Sequence, residues 1–397
     1  MRLDGDIQRS VAADERLPLP GLLALAMVAF VTLLTEIMPA GLLSSIAGGL
    51  RVQESIAGQF ITAFALGALL SAIPVTAMTR GVRRKPLLLV AVGGFAAVNL
   101  ATAISGNIYL SLAARFVAGL FGGVVWSMIT GYAVRMAPKA MGGRAIAIAG
   151  AGGTAALVLG VPIGNALGRF VSWQGAFAAV SALALLLMAW IVRVVPDFPG
   201  EGGGERETLL AVLLKPGVAA TAGVILTYIV GHNIVYIYIE PFVRAMGHAG
   251  QLDFILLLFG LGSIAGIALV GALIDRYLKA IGLLEIAFFV AAVIVWICGW
   301  TGAVPVYASA IVWGVSFGGF GPVTQTLTAR LADDAIDVAQ SVCTTAWNSA
   351  VALGGVAGGF LLDHAGAGSF PLAALGMLAC AMILLVAGVN RVIGRKR

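Results

Sequence analysis

The chain has 397 residues, of which 60% are hydrophobic and only 11% charged, and its mean hydropathy is +1.03. A soluble globule of this length has too little interior to hide that much apolar side chain, so that class is excluded. The net charge of +6 is not a nucleic-acid signal, because nearly all the cations sit in short gaps between apolar segments.

The first eighteen residues mix Arg2, Arg9 and Arg16 with Asp4, Asp6, Asp14 and Glu15. They lack a cleavable-signal pattern and read as a cytoplasmic tail, residues 1–18. Twelve apolar runs follow, at roughly 21–45, 55–78, 86–104, 107–132, 143–168, 173–195, 216–239, 254–274, 280–299, 304–328, 338–361 and 369–390. Each is near the ~20 residues that span a bilayer as a helix, and the runs are continuous rather than alternating, which predicts helices and not strands. With the N-terminus inside, twenty of the 24 Lys and Arg fall in cytoplasmic gaps, among them Arg80, Arg83, Arg84, Lys85, Arg135, Lys139 and Arg144. Arg51, Arg169 and Arg244 fall outside, and Arg115 lies within helix 4. This bias places both termini in the cytoplasm. Cys298, Cys343 and Cys380 lie inside apolar runs, so neither a disulfide framework nor a metal cluster is expected.

Between Arg193 and Lys215 the chain turns polar and glycine-rich, PDFPGEGGGERE, and divides the runs six and six. The expected organisation is a bundle at 19–195, a cytoplasmic loop at 196–215 and a second bundle at 216–397. The halves echo each other. Gly271-Ala-Leu-Ile-Asp275-Arg276-Tyr-Leu-Lys279 follows helix 8, and about 196 residues earlier Thr79-Arg80-Gly-Val-Arg83 follows helix 2. Gly160-Val-Pro162-Ile-Gly164 in helix 5 is echoed by Gly354, Gly355, Gly358 and Gly359 in helix 11. A duplicated six-helix unit is the sequence trace of an alternating-access transporter.

With these motifs the chain resembles the major facilitator superfamily over essentially its whole length after the tail. The Gly271, Asp275, Arg276 pattern is similar to that family's cytoplasmic gate, and Arg115-Phe-Val-Ala-Gly119 to its R-x-x-x-G motif, which the resemblance ties to proton coupling. Gly160, Pro162, Gly164 and Gly168 are similar to the helix-5 antiporter signature. Thr35-Glu36-Ile-Met-Pro39-Ala-Gly41 and Gly231-His232-Asn-Ile-Val-Tyr236-Ile-Tyr238-Ile-Glu-Pro241 look like the twelve-helix drug/proton antiporter branch. Within that branch the chain is most like sugar (arabinose-type) and purine-ribonucleoside efflux permeases. The first-half gate motif departs from the family pattern, with Val75 at its leading glycine and Thr79 at its aspartate. Arg80, Arg83, Arg84 and Lys85 are therefore topology signals first. The resemblance also implies a monomer.

Glu36 lies about sixteen residues into helix 1, or ~24 Å along it, and Arg115 lies at a comparable depth in helix 4. An unpaired charge there costs at least ~2.5–3.5 kcal/mol, so both are expected to face a polar interior. Desolvation and a nearby guanidinium act oppositely on a carboxyl, which lets Glu36 load and release a proton while Arg115 modulates, competes with or orients it. The alternative is a static ion pair joining helices 1 and 4. Glu285, a few residues into helix 9, is expected to snorkel to the cytoplasmic face. Glu240 and Asp253 read as wet loop charges. Gly271 and Asp275, one turn apart, allow a neighbouring helix to approach while Asp275 with Arg276 latches the cytoplasmic end, or else they simply cap it.

Solute contacts need polar or aromatic groups at mid-depth. The candidates are His232, Asn233, Tyr236 and Tyr238 in helix 7, Trp126 in helix 4, Gln325 in helix 10 and Asn348, beside Trp347, in helix 11. His232 and Tyr236 share one helix face. Each is alternatively an interhelical hydrogen bond or a packing ring. Gly160, Gly164 and Gly168, Gly119 with Gly123, and Gly314 with Gly318 form small-residue ridges that permit close helix approach. Pro162 bends helix 5, which makes that ridge either a pivot or seal between the halves or plain close packing. Gly314-Val-Ser316-Phe-Gly318 matches a hydrolase elbow but lies inside a span without acid or histidine partners. No P-loop or zinc spacing occurs, so no cofactor is expected.

The expectation is an all-α membrane protein of twelve transmembrane helices in two pseudo-symmetric six-helix bundles. Its partners would be a small-molecule solute, protons and the lipid bilayer of the bacterial inner membrane, with no nucleic acid. Proton-coupled efflux of a sugar, nucleoside, purine or drug is the first reading. An uncoupled facilitator or importer, a non-transporting sensor and an intramembrane enzyme are the alternatives.

Overall fold

The computed structural model describes residues 17–71, 75–79, 81–138, 141–200, 213, 217–331 and 336–389. The side chains at 76, 77, 161, 169, 275, 336–338 and 389 are outside that description. The tail 1–16, Arg80, Lys139, most of the central loop and the last eight residues thus lie outside it, as does the side chain of the gate candidate Asp275.

Twelve long helices follow in chain order: α1 Leu19–Gly41, α2 Glu54–Leu70, α3 Arg84–Ile104, α4 Ile108–Met136, α5 Gly142–Val171, α6 Trp173–Val194, α7 Val218–Tyr236, α8 Ala249–Ile274, α9 Arg276–Ile297, α10 Ala303–Leu331, α11 Ile336–Ala365 and α12 Phe370–Leu384. Among the described residues eleven helices are long and apolar enough to cross a membrane, and α2 is a shorter apolar helix. α8 and α9 form one helical run broken at Tyr277, whose φ of −123° and ψ of 26° are not helical. Local chemistry sets several ends. The Asn107 side chain accepts from the N–H groups of Tyr109 and Leu110 to start α4, and Ser172 accepts from Gly175 to start α6.

The packing repeats between halves. In the first half α1 packs on α5, α2 on α4 and α3 on α6; in the second, α7 packs on α11, α8 on α10 and α9 on α12. Across the halves α2 meets α11, and α5 meets α8. Every one of these pairs maps onto its counterpart when the halves are exchanged, which makes the protein two pseudo-symmetric six-helix bundles. Glycines set the closest seams in lipid, where helix association depends on packing rather than on a hydrophobic drive. A Cβ at Gly119 would strike the Phe64 carbonyl of α2, and one at Gly67 the Phe116 carbonyl of α4. In the equivalent seam Gly314 faces the Phe259 carbonyl and Gly318 the Ser263 carbonyl. Gly119→Val should therefore push α2 off α4 and cost about 1–3 kcal/mol or more. The check is a lowered Tm and reduced monodisperse yield in detergent, whereas Gly131→Val, where a Cβ meets nothing within 4 Å, should behave as wild type.

Candidate functional site

The buried charges are positioned by a proline. Pro39 in α1 has no N–H, so the Thr35 carbonyl one turn earlier lacks its usual helical donor. Arg115 of α4, 1% exposed, fills that role: its Nη2 donates to Thr35 O at 2.5 Å and its Nε to Phe60 O of α2 at 3.4 Å. The guanidinium also lies over the Phe64 ring at 5.2 Å and the Phe177 ring at 5.7 Å, which ties α1, α2, α4 and α6 together. Glu36 is the next residue along α1 and is half-buried. It makes no ion pair with Arg115, yet the two are within electrostatic range, and so are Glu36 and the Tyr236 hydroxyl of the other half. Arg115 thus holds the carbonyl beside Glu36 rather than its carboxylate.

Opposite Glu36 lies an aromatic box in the second half. The His232 ring stacks on Phe317 at 4.0 Å and on Tyr236 at 5.0 Å, with Trp313 at 5.2 Å, Phe259 at 5.9 Å and Phe289 at 6.3 Å. Three buried polar atoms in it, His232 Nδ1, Tyr236 Oη and Trp313 Nε1, have no hydrogen-bond partner in the protein. Trp313 carries no motif in the sequence and is recognisable only by where α10 sets it. Trp347 of α11 borders the box, 6.1 Å from Phe317, while Asn348 returns its amide to Thr344 O. Trp126, 36% exposed, lies against Gly153 of α5.

The other helix-7 candidates lie elsewhere. Asn233 donates to Ile229 O and turns its Cβ to Gly354 of α11, away from the box. α7 ends at Tyr236, and Tyr238 (φ −108°, ψ 32°) starts the short helix Ile239–Ala245, so its ring leaves the His232 face. It sits in the seam between halves, where its hydroxyl donates to Gly355 O at 2.8 Å and approaches Ser55 O at 3.2 Å and Gln59 Nε2 at 3.1 Å. At the same end the Ser44 N–H donates to Glu240, 196 residues away and so at nearly the equivalent position of the other half. Arg244 pairs with Glu54 at 2.9 Å, and Asn165 of α5 donates to Asp253 at 2.5 Å. Glu240 and Asp253, expected as wet loop charges, are cross-half bonds instead. Among the described residues, no hydrogen bond or ion pair joins the halves at the opposite, cation-rich end. Among the described residues, the hydrogen bonds and ion pairs between the halves thus gather at one end.

The seal should yield in proportion to burial. Arg244→Gln removes an exposed pair worth about 0.2–1 kcal/mol, whereas Tyr238→Phe removes a buried hydroxyl worth about 0.5–1.5 kcal/mol. Both should speed labelling of Gly355→Cys by an impermeant thiol reagent in a cysteine-free background, Tyr238→Phe more. Equal rates in all three proteins would show that these contacts do not hold the seal.

The helix-5 ridge seats α1 within its own half. A Cβ at Gly160 would touch Leu34 and Ile37, one at Gly164 Met38 and one at Gly168 Leu42. Val158, against Gly260, and Asn165 are α5 residues that meet the other half. Pro162 lies within the continuous α5. At the cation-rich end Gly271 is uncovered, with nothing within 4 Å of a Cβ there, and Arg276 lies over Tyr277. Gly271 and Gln325 instead line a cleft of about 500 Å³ between α8 and α10, with Ile274, Pro322, Thr326 and Arg330. Arg83 pairs with Asp197 at 2.7 Å. The Lys85 N–H, and then Arg83, hold that half-buried carboxyl below the usual carboxylate range.

Glu285 corrects an expectation. It does not snorkel: it is 2% exposed, and its carboxyl lies over Gly319 of α10. Ser316, the serine of the hydrolase-like pattern, is bonded to the Glu285 carbonyl and the Tyr228 hydroxyl, both at 2.5 Å.

Paired bundles bonded together at one end, with a half-buried carboxylate of the first facing an aromatic box of the second, fit a membrane transporter. The Major Facilitator Superfamily profile matches residues 25–355, and the chain belongs to that superfamily. A protein of Mannheimia succiniciproducens named probable sugar efflux transporter is 28% identical over 351 residues, 87% of each chain. One of the same name from Helicobacter pylori (strain G27) is 26% identical, covering 88% of this chain and 91% of its own. Among solved structures, the nucleoside transporter NupG superposes with a TM-score of 0.72 at 13% identity, over 93% of this chain and 98% of that one. A D-xylose-proton symporter gives 0.71 at 15% identity, over 92% and 96%. At such identities the solved structures show the fold alone.

Proposed function

We propose that this protein exports a small polyhydroxylated or heterocyclic solute, a sugar first and a nucleoside, purine or amphiphilic drug next, in exchange for protons. It would act as a monomer in the bacterial cytoplasmic membrane with both termini inside, so the cation-rich end faces the cytoplasm. The carrying observation is Glu36, half-buried within electrostatic range of Tyr236 across the divide between halves. The box supports a ring-bearing or hydroxyl-rich ligand, since its aromatic faces offer stacking and its three unpartnered polar atoms offer hydrogen bonds. The names of the relatives support efflux of sugars.

In the state described, Glu36 releases its proton toward the cytoplasm and solute enters the box from the same side. The bundles 19–195 and 216–397 then rock. The Tyr238 and Arg244 seal parts while a helix of the first bundle covers Gly271, with Asp275 and Arg276 latching that end. Outside, solute leaves and Glu36 is reprotonated. The test is uptake into inside-out proteoliposomes with an imposed pH gradient, using pentoses, ribonucleosides and cationic dyes. Gradient-driven accumulation of one class by wild type and not by Glu36→Gln is expected; gradient-independent equilibration by both would sink the exchange.

A further inference from the structure

We propose that Glu285 is a second proton-binding site, in the second bundle, that exchanges its proton with the cytoplasm through the cleft between α8 and α10. The carboxyl is built into a recess. Gly319 supplies the space, since a Cβ there would collide with the Glu285 carboxyl, and Val270 of α8 covers the same spot. Glu285 Oε2 has no hydrogen-bond partner in the protein.

The groups facing it are few. Among the described residues the titratable neighbour is Tyr228 of α7, stacked on Phe320 at 3.7 Å and held by Ser316. From α10 come Ser316 and Gly319, and from α8 Val270. Among the described residues no Lys, Arg or His forms an ion pair with it. An ionised carboxylate sealed among apolar helices without a countercharge is far less stable than the neutral acid. In this arrangement Glu285 therefore holds its proton.

The exit is one residue away. Val270 precedes Gly271, and Gly319 lies one turn before Pro322; Gly271 and Pro322 both line the cleft, which runs to Arg330 at the cytoplasmic end. Parting α8 from α10 there admits water to the carboxyl. The proton passes to that water, leaves a carboxylate, and returns by the same path. Ionisation of Glu285 thus favours conformations with a hydrated α8/α10 seam, so cytoplasmic pH acts on the helix that carries Gly271 and Asp275. The site is separate from Glu36, and only its use in transport rests on the proton-driven reading above.

The test uses the full-length protein in liposomes and dicyclohexylcarbodiimide, a membrane-permeant reagent that modifies protonated carboxyls. Peptide mass spectrometry reads the modified fraction of Glu285 and Glu36 separately from acid to alkaline pH. Glu285 should be modified at acid and neutral pH, with labelling falling at alkaline pH. Its midpoint should move in Tyr228→Phe, which preserves shape, and stay put in Glu36→Gln. No modification of Glu285 at any pH while Glu36 reacts, or labelling that never varies with pH, would overturn the proposal. Because labelling is read on wild type, misfolding of Glu285→Gln would not obscure the result. Normal proton-driven flux in Glu36→Gln with Glu285 titrating as expected would remove the role of Glu36 and leave this site standing.

Discussion

On the proposed proton exchange, Glu36→Gln should abolish coupling and leave a passive exchanger. One pH unit across the membrane is worth about 1.4 kcal/mol per proton, enough for about a tenfold solute gradient at one proton per solute. Glutamine keeps the size and polarity of the side chain but cannot carry a charge, so an imposed gradient should raise no solute gradient at all. Downhill counterflow of labelled against unlabelled solute should persist, because the aromatic box is untouched. That split separates a coupling role from a structural one. The Arg115 clamp holds the neighbouring Thr35 carbonyl and not the carboxylate, so the variant should also fold normally. Loss of counterflow together with coupling would mean that Glu36 organises the site rather than charges it.

The spans were legible because long apolar runs with cations in alternate gaps leave few alternatives, and the repeat was legible in the glycine echoes. Glu36 and Arg115 stood out because charge in lipid is costly. What the sequence hid depends on tertiary placement. Nothing local tells that Pro39 frees a carbonyl which a guanidinium three helices further along the sequence completes. Tyr238, two residues past Tyr236, looks like part of the same face until the helix breaks beneath it and hands the ring to the seam. Glu285 stands near enough to a helix end to suggest snorkelling, but a glycine on another helix gives it a recess. Glu240 and Asp253 look wet until the opposite bundle supplies Ser44 and Asn165.

Tyr236→Phe should have effects of opposite sign on stability and on binding. The hydroxyl is buried without a protein partner, and such a group costs about 1–3 kcal/mol relative to a satisfied one. Deleting it should raise the Tm of the empty protein. A solute hydroxyl that pairs with it loses a bond worth about 0.5–1.5 kcal/mol, which weakens solute binding about two- to thirteenfold. Trp313→Phe should act the same way, since it removes the unpartnered indole N–H and keeps a ring beside His232. The double variant should weaken binding further, with coupling between the two because both rings touch. Thermal melts with and without solute measure both signs on one sample: a higher Tm alone and a smaller solute-induced rise. If these variants melt lower when empty, the two groups are structural bonds and the solute site lies elsewhere.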